Sequence, residues 1–508
     1  MSGSIRMPPG TDQDALPLVP RQRRPSWAAP DPVDELATRL EEFIAAAVHP
    51  DEIAALLESD GMSDDQIREK YGCKDSFSLA EELYERVERR HPEPPGPAHD
   101  PWQIGLLGCL LRGVVFALPG LGYVLGAPLL AGPEDGLGLP AGTVPLLAGA
   151  LAGWTWNQGL AHRAYSWLGL GDKAAARRSL LVGAPVGALL GSLVALAVAP
   201  GHLGAVAFAA GQSCYLGAAT VLLVMGRERA LLAALLPMTA GAVFALAQPV
   251  PEVARLALLV GSLGIVGALA AIEVAPAVRQ SGDGKRISWS AGFAALLPFG
   301  GGAQDGKRPR SASPWLAGSL PYAFFGLGSG ALVVYVALGD VLADGSSNAA
   351  VAAPAAVALT LSMGPAEWLL YRFRSGSLAG LRSSSTPRDF WRSTAVTLVQ
   401  CLSAYLASLF LLSLATAAVW PHAPGLTGVR LTALLLLGVV LWTGLLLQSF
   451  GAVLSAVVVC CGAALAQTVA LLADVANPHV VGLVVYGAAA GALASLVCWQ
   501  LGRATAHR

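Results

Sequence analysis

The amino-acid sequence predicts an all-α integral membrane protein with twelve transmembrane helices in two six-helix lobes related by pseudo-twofold symmetry, behind a small helical cytosolic N-terminal domain. Three observations lead there. The 508 residues are 54% hydrophobic and only 13% charged, with a mean hydropathy of +0.56, too apolar for a soluble chain of this length. Basic residues cluster in alternate gaps between apolar runs. The chain also says the same thing twice. Pro101-Trp102, followed by Gly105 and Leu107, opens the first long apolar segment, and Pro314-Trp315, followed by Gly318 and Leu320, opens another 213 positions later. Gly113 matches Gly326 at the same offset, Trp156 precedes Trp368 by 212, and Arg178-Ser179 precedes Arg392-Ser393 by 214. Internal duplication of this kind is the usual build of secondary transporters, whose substrate site lies between the repeats.

Twelve runs are long enough to cross ~30 Å of hydrocarbon as helices of ~20 residues. They fall at 104–131, 140–162, 179–199, 202–225, 230–248 and 256–277, then at 315–338, 349–371, 394–420, 431–448, 452–473 and 480–501. With the N-terminus inside, the inner loops hold nineteen Lys and Arg, against only Arg255 and Arg430 outside. The positive-inside rule therefore supports twelve spans with both termini cytoplasmic, and the plasma (inner) membrane is the expected location. The first lobe spans 102–279 and the second 314–502. Between them, residues 280–313 form a cytoplasmic linker whose apolar patch 287–298 is flanked by Lys285, Arg286, Lys307, Arg308 and Arg310. That patch reads either as an interfacial segment touching lipid head groups or as a solvated linker. Residues 503–508 form a cytoplasmic tail.

The first hundred residues are different material, with 11 basic and 21 acidic side chains. Residues 1–31 read as a disordered, proline-rich tail without the apolar core of a signal peptide. Residues 32–92 read as an acidic helical domain, with capping boxes at Ser63–Gln66 and Ser78–Glu81 and helix-ending glycines at 61 and 72. The stretch 62–72 resembles the start of a helix-turn-helix, but the acidic surface lacks the basic footprint that phosphate contacts need. A cytosolic protein partner is thus expected here and nucleic acid is not. Residues 93–101 form a proline-rich tether. Six of the seven cysteines fall in predicted spans as small apolar residues, Cys73 stands alone, and no metal-ligand or nucleophile–base spacing is present. No cofactor, metal or enzymatic activity is expected.

The loop after the second span reads Ser166-Trp-Leu-Gly169-Leu-Gly171-Asp172-Lys173-Ala-Ala-Ala-Arg177-Arg178. Physically it is a glycine turn, a helix start at Asp172 and a basic first turn. This string resembles the corresponding loop of the multidrug/oligosaccharidyl-lipid/polysaccharide exporter superfamily, which holds the multidrug-and-toxin extruders and the lipid-linked-saccharide flippases. The major facilitator superfamily is the competing match, but it expects a glycine where this chain has Ala174, Ala175 and Ala176. The resemblance covers the membrane part alone. It implies alternating access by two rocking lobes.

Polar groups inside spans are costly and so are candidates for function. Arg112 lies eight residues into the first span, ~12 Å deep at ~1.5 Å per residue. Asn157 and Gln158 lie about as far from the cytoplasmic end of the second, so the three are expected to share one substrate-binding pocket. A guanidinium with amide neighbours suits a phosphate or diphosphate, although Arg112 bonded to helix carbonyls or facing a watery vestibule is an equally open reading. No acid is expected in the middle of any span, since Glu273 and Glu367 sit near predicted ends. With the resemblance, this implies a flippase or exporter of a lipid-linked anionic saccharide or polysaccharide precursor. The alternatives are a multidrug or small-molecule exporter and a non-transporting membrane scaffold or regulator. Prolines at 119, 185, 237 and 321 are expected to interrupt spans, with Pro119 and Pro321 as either paired hinges or static kinks.

Overall fold

The computed structural model describes residues 31–88, 90, 105–132, 139–280, 316–344, 354–419 and 428–502. The N-terminal tail, the tether, the linker patch, both Pro-Trp signatures and the C-terminal tail lie outside the described residues. The chain divides into two compact units, residues 1–99 and 100–508.

In the first unit five short helices, α1 (Pro32–Arg39), α2 (Glu41–Ala46), α3 (Pro50–Ser59), α4 (Asp64–Tyr71) and α5 (Ser76–Arg86), enclose a core of their own. Leu36, Ile44, Ile53, Leu57, Ile67, Leu79 and Leu83 are almost wholly buried in it. At roughly 1.5–3 kcal/mol per buried side chain, this core is what holds five short helices that would not persist alone. Ser63 and Gln66 form the expected capping box on α4, and Gly72 ends that helix at φ 74°. The second expected box is corrected: α5 starts earlier, with Asp75 as its cap accepting from Ser78 N at 2.8 Å, because a carboxylate is the better cap here and also takes the Ser78 hydroxyl. Arg86 ties the two ends of the unit together, bonding Asp31 at 3.0 Å, Asp34 at 2.6 Å and also Glu82. Burial and a 3.1 Å contact to the Glu82 carboxylate push the Cys73 thiol up to about 11, so it stays protonated and inert.

The second unit is built of long helices. The first is broken at Pro119: α6 (Leu106–Ala117) passes through a 3₁₀ turn, Leu118–Leu121, into α7 (Gly122–Leu130). There follow α8 (Thr143–Gly169), α9 (Lys173–Val198), α10 (Leu203–Val224), α11 (Glu228–Ala247) and α12 (Glu252–Gln280). Beyond the linker come α13 (Leu320–Asp344), α14 (Pro354–Ser383), α15 (Pro387–Val419), α16 (Gly428–Ser449), α17 (Val453–Leu472) and α18 (Pro478–Leu501). Among the described residues ten helices, counting α6–α7 as one, are long and apolar enough to cross a membrane. The protein is thus a multi-pass α-helical membrane protein. α8 and α14 are long enough, at 27 and 30 residues, but are not among those ten. α14 runs well beyond the apolar stretch through Arg372, Arg374 and Arg382.

Expected punctuation holds at the loop before α9, where Gly171 is left-handed at φ 77° and Asp172 caps by accepting from Ala175 N at 2.8 Å. It fails at Pro321. That proline sits in the first turn of α13, after a 3₁₀ turn at Leu316–Ser319, where its missing N–H costs nothing. Pro119 therefore has no matching break.

Helices in lipid gain little from apolar burial and are held instead by close approach of small residues. The described helices follow this rule. Gly183 and Gly187 of α9 lie under Leu160 and Trp156 of α8, and the Trp156 indole N–H donates to the Gly183 carbonyl at 2.7 Å. Meanwhile Leu189, Leu193 and Leu196, on the outer face of α9, are exposed. One main core draws only on residues 115–274, and another only on residues 325–501. Several neighbour pairs of the first six helices recur among the last six: α8 with α9 and α14 with α15, α10 with α12 and α16 with α18, α7 with α11 and α13 with α17. Contact between the two sets runs chiefly along two seams, α6 against α14 and α8 against α13.

Candidate functional site

Along the first seam the backbones of α6 and α14 touch. A Cβ on Gly113 would lie 2.8 Å from Gly364 N, and one on Gly364 would lie 2.8 Å from the Cys109 carbonyl oxygen. Only glycine allows this approach. The contact brings Arg112, next to Gly113, against Glu367, one turn beyond Gly364. Arg112 Nη1 bonds the Glu367 carboxylate, and its Nε bonds Glu228 Oε1 at 2.8 Å. Glu228 is the first residue of α11. The Tyr371 hydroxyl, one turn along α14, donates to the same Glu367 oxygen at 3.2 Å. The guanidinium side chain is 34% exposed and the two carboxylates 23% and 24%, so all three charges are partly buried. Charge-assisted bonds of this kind are among the stronger side-chain contacts. One cation faces two carboxylates, and the fixed charge of the three side chains is negative.

Glu367, expected near the end of a predicted span, lies near the middle of its helix, and α14 is not among the ten membrane-capable helices. Glu367 is the fourteenth of thirty residues in α14. The apolar run ends four residues later, but the helix itself continues, because backbone hydrogen bonding does not stop where hydropathy does.

The predicted trio is not assembled. Among the described residues no hydrogen bond joins Arg112 to Asn157 or Gln158. The two amides are adjacent in α8, so they point ~100° apart around it. Asn157 is buried with Gly149, Gly153 and Leu160 on the side that meets α9 and α10. Its Nδ2 donates to the Gly153 carbonyl at 2.8 Å, while Oδ1 lacks a partner. Gln158 faces the other way, its Cγ against Gly326 of α13, on the second seam.

That second seam has its own polar contact. His162, one turn past Gln158, stacks on Tyr322 with ring centroids 3.6 Å apart and 17° between planes. Its Nδ1 lies 3.1 Å from Ser319 Oγ. Arg163, expected in a loop, is inside α8 and buried, since the helix runs on to Gly169. A further ion pair joins Arg227, just before α11, to Glu273 of α12 at 2.6 Å.

Sequence reasoning missed Glu228, Tyr371 and His162, and set Glu367 aside. A faint signal existed for two of them: Glu367 and Tyr371 stand at i and i+4 of one helix, a spacing that shares a face. Nothing local ties either to Arg112, which is 255 residues away from Glu367. No family model matches the chain, and no curated protein matches it.

Proposed function

We propose that this protein is a membrane carrier that works by alternating access, its twelve long helices forming two duplicated six-helix lobes that close on each other through Arg112. The observation that carries the reading is the double engagement of that arginine. It holds Glu228 in its own half and Glu367 in the other, so the halves are tied at one place by bonds that can open and re-form. Polar pairs inside membrane helices are costly to keep and mark the moving parts of transport pathways. Two features support the duplication: the recurring neighbour pairs in the two sets of helices, and their crosswise seams, in which the first helix of each set meets the second of the other.

A cluster with one guanidinium and two carboxylates favours cationic or zwitterionic small molecules as cargo, which makes the small-molecule exporter the leading reading. A second reading, flipping of a lipid-linked anionic saccharide, is favoured by the same arginine. Once its bonds to Glu367 part, a guanidinium between the halves is free to hold a diphosphate. The loop resemblance to the exporter superfamily supports both readings equally.

The test is efflux of a fluorescent organic cation, ethidium, from cells making the protein, beside a fluorescent lipid-linked diphosphate in proteoliposomes. Movement of the first supports the exporter and of the second the flippase. In either assay Arg112→Ala, which removes both charge-assisted contacts, is expected to reduce the rate at least about tenfold. A wild-type protein that moves neither probe, in both preparations, would sink the carrier.

A further inference from the structure

The N-terminal unit has features that transport does not use. Two adjoining hollows of about 720 and 550 Å³ share Arg39, Lys70 and Tyr71, and together make one trough between α1 and α4. Pro32 lines one end, next to the point where the preceding chain enters the domain. Met62 and Asp60 line the other end. Among the acids of the trough, Asp34 is engaged by Arg86, whereas Glu35, Asp60 and Glu69 outnumber Arg39 and Lys70. Tyr71 and Met62 add apolar surface, and the Lys70 ammonium rests 5.3 Å over the Tyr71 ring.

We propose that this trough is a docking groove for the chain's own basic segment, residues 1–30, seated through Arg21, Arg23 and Arg24. Charge argues for it first. Residues 1–30 carry four arginines and two aspartates, while residues 31–92 carry seven basic and seventeen acidic side chains, so the acidic domain attracts the segment through its cluster at Arg21, Arg23 and Arg24. Reach argues second. The arginines lie seven to ten residues before Asp31, roughly 23–33 Å of extended chain, against ~12 Å for the length of α1. Tethering argues third. A short linker holds its ligand at an effective concentration of about a millimolar, so a contact too weak to survive between separate molecules is populated within one chain. Trp27 and the run Leu16-Pro-Leu-Val19 in the same segment offer apolar groups for Tyr71 and Met62.

Because the unit encloses its own core, residues 1–92 and 31–92 can be compared as isotope-labelled domains by amide NMR. Removing residues 1–30 is expected to shift the amides of Arg39, Met62, Lys70 and Tyr71 and to leave those of α3 and α5 in place, the latter serving as the check on folding. A synthetic peptide of residues 1–30 should restore the original positions. The peptide bearing Arg21→Glu, Arg23→Glu and Arg24→Glu should need at least about ten times the concentration, three weak surface ion pairs being lost. Superimposable spectra with and without the segment overturn the proposal. So does equal binding of the reversed-charge peptide, and so do trough shifts that grow with protein concentration, which would assign the trough to a second copy.

Discussion

The two seams between the halves occupy matching places and are chemically unlike. α6 meets α14 through bare backbone and an ion cluster; α8 meets α13 through side chains, with Gly326 against Gln158, Gly159 against Ala323 and His162 stacked on Tyr322. The difference is sharpest at Arg112. The residue 213 positions on is Phe325, which is buried and packs against Gly444. At that offset a charged residue reaching across the seam is answered by a core residue turned into its own half. Among the described residues, the ion cluster lies on the first seam alone. Of the two, the charged seam is the one whose strength depends on its dielectric surroundings.

The largest expected effect comes from the glycine crossing. For Gly113→Ala the new methyl meets backbone atoms of Gly364 at 2.8 and 3.0 Å and the Leu361 carbonyl at 3.1 Å, none of which can rotate away. A loss of roughly 2–3 kcal/mol is expected, read as a clear fall in the melting temperature of the detergent-purified protein. The counterpart Gly326→Ala meets mainly the Gln158 Cγ at 2.8 Å, a flexible side chain, and should cost under about 1 kcal/mol. Equal losses would mean that the seams do not differ in rigidity.

Next in size is Arg112→Ala, which leaves two partly buried carboxylates facing each other. The full cost of orphaning a buried charge is ~3–5 kcal/mol; with about a quarter of each carboxylate exposed, roughly 2 kcal/mol is expected. Adding Glu367→Gln should recover part of this, and a double-mutant cycle showing no coupling between the two would remove the ion pair from the account. Tyr371→Phe removes one hydrogen bond to Glu367 and is expected to cost ~1 kcal/mol, less than Arg112→Ala in the same melting assay. Smallest should be His162→Phe, which keeps an aromatic ring on Tyr322 and loses only the Ser319 contact, about 0.5–1 kcal/mol. A change larger than that of Arg112→Ala would place the polar control on the second seam instead.

How much of this was readable in one dimension varies with the range of the interaction. The helices themselves, the cap at Asp172, the left-handed turns at Gly72 and Gly171 and the break at Pro119 are local, and each follows from residue type within one turn. Pro321 was misjudged because a proline in a first turn and one in mid-helix look alike until the helix start is known, and Ser78–Glu81 because two overlapping cap signals compete. Glu367 falls near the end of an apolar run yet near the middle of a helix, because hydropathy measures preference for lipid and is silent on how far a helix extends. Asn157 and Gln158 were paired by depth alone, whereas the 100° step between neighbours sends them to different partners.

By itself the sequence determined the class of molecule: apolar length forces helices through a membrane, where every backbone group must be bonded within its own segment, and charge contrast sets the acidic N-terminal unit apart. It also carries near-constant offsets of 212 to 214 between Gly, Trp and Arg positions, the pattern from which a repeat is expected. Only the tertiary structure decided what Arg112 does. A guanidinium in an apolar run must find an acceptor, but whether that is a phosphate, a carbonyl or a carboxylate depends on which helix is brought beside it, and here glycines 113 and 364, by letting two backbones touch, delivered Glu367.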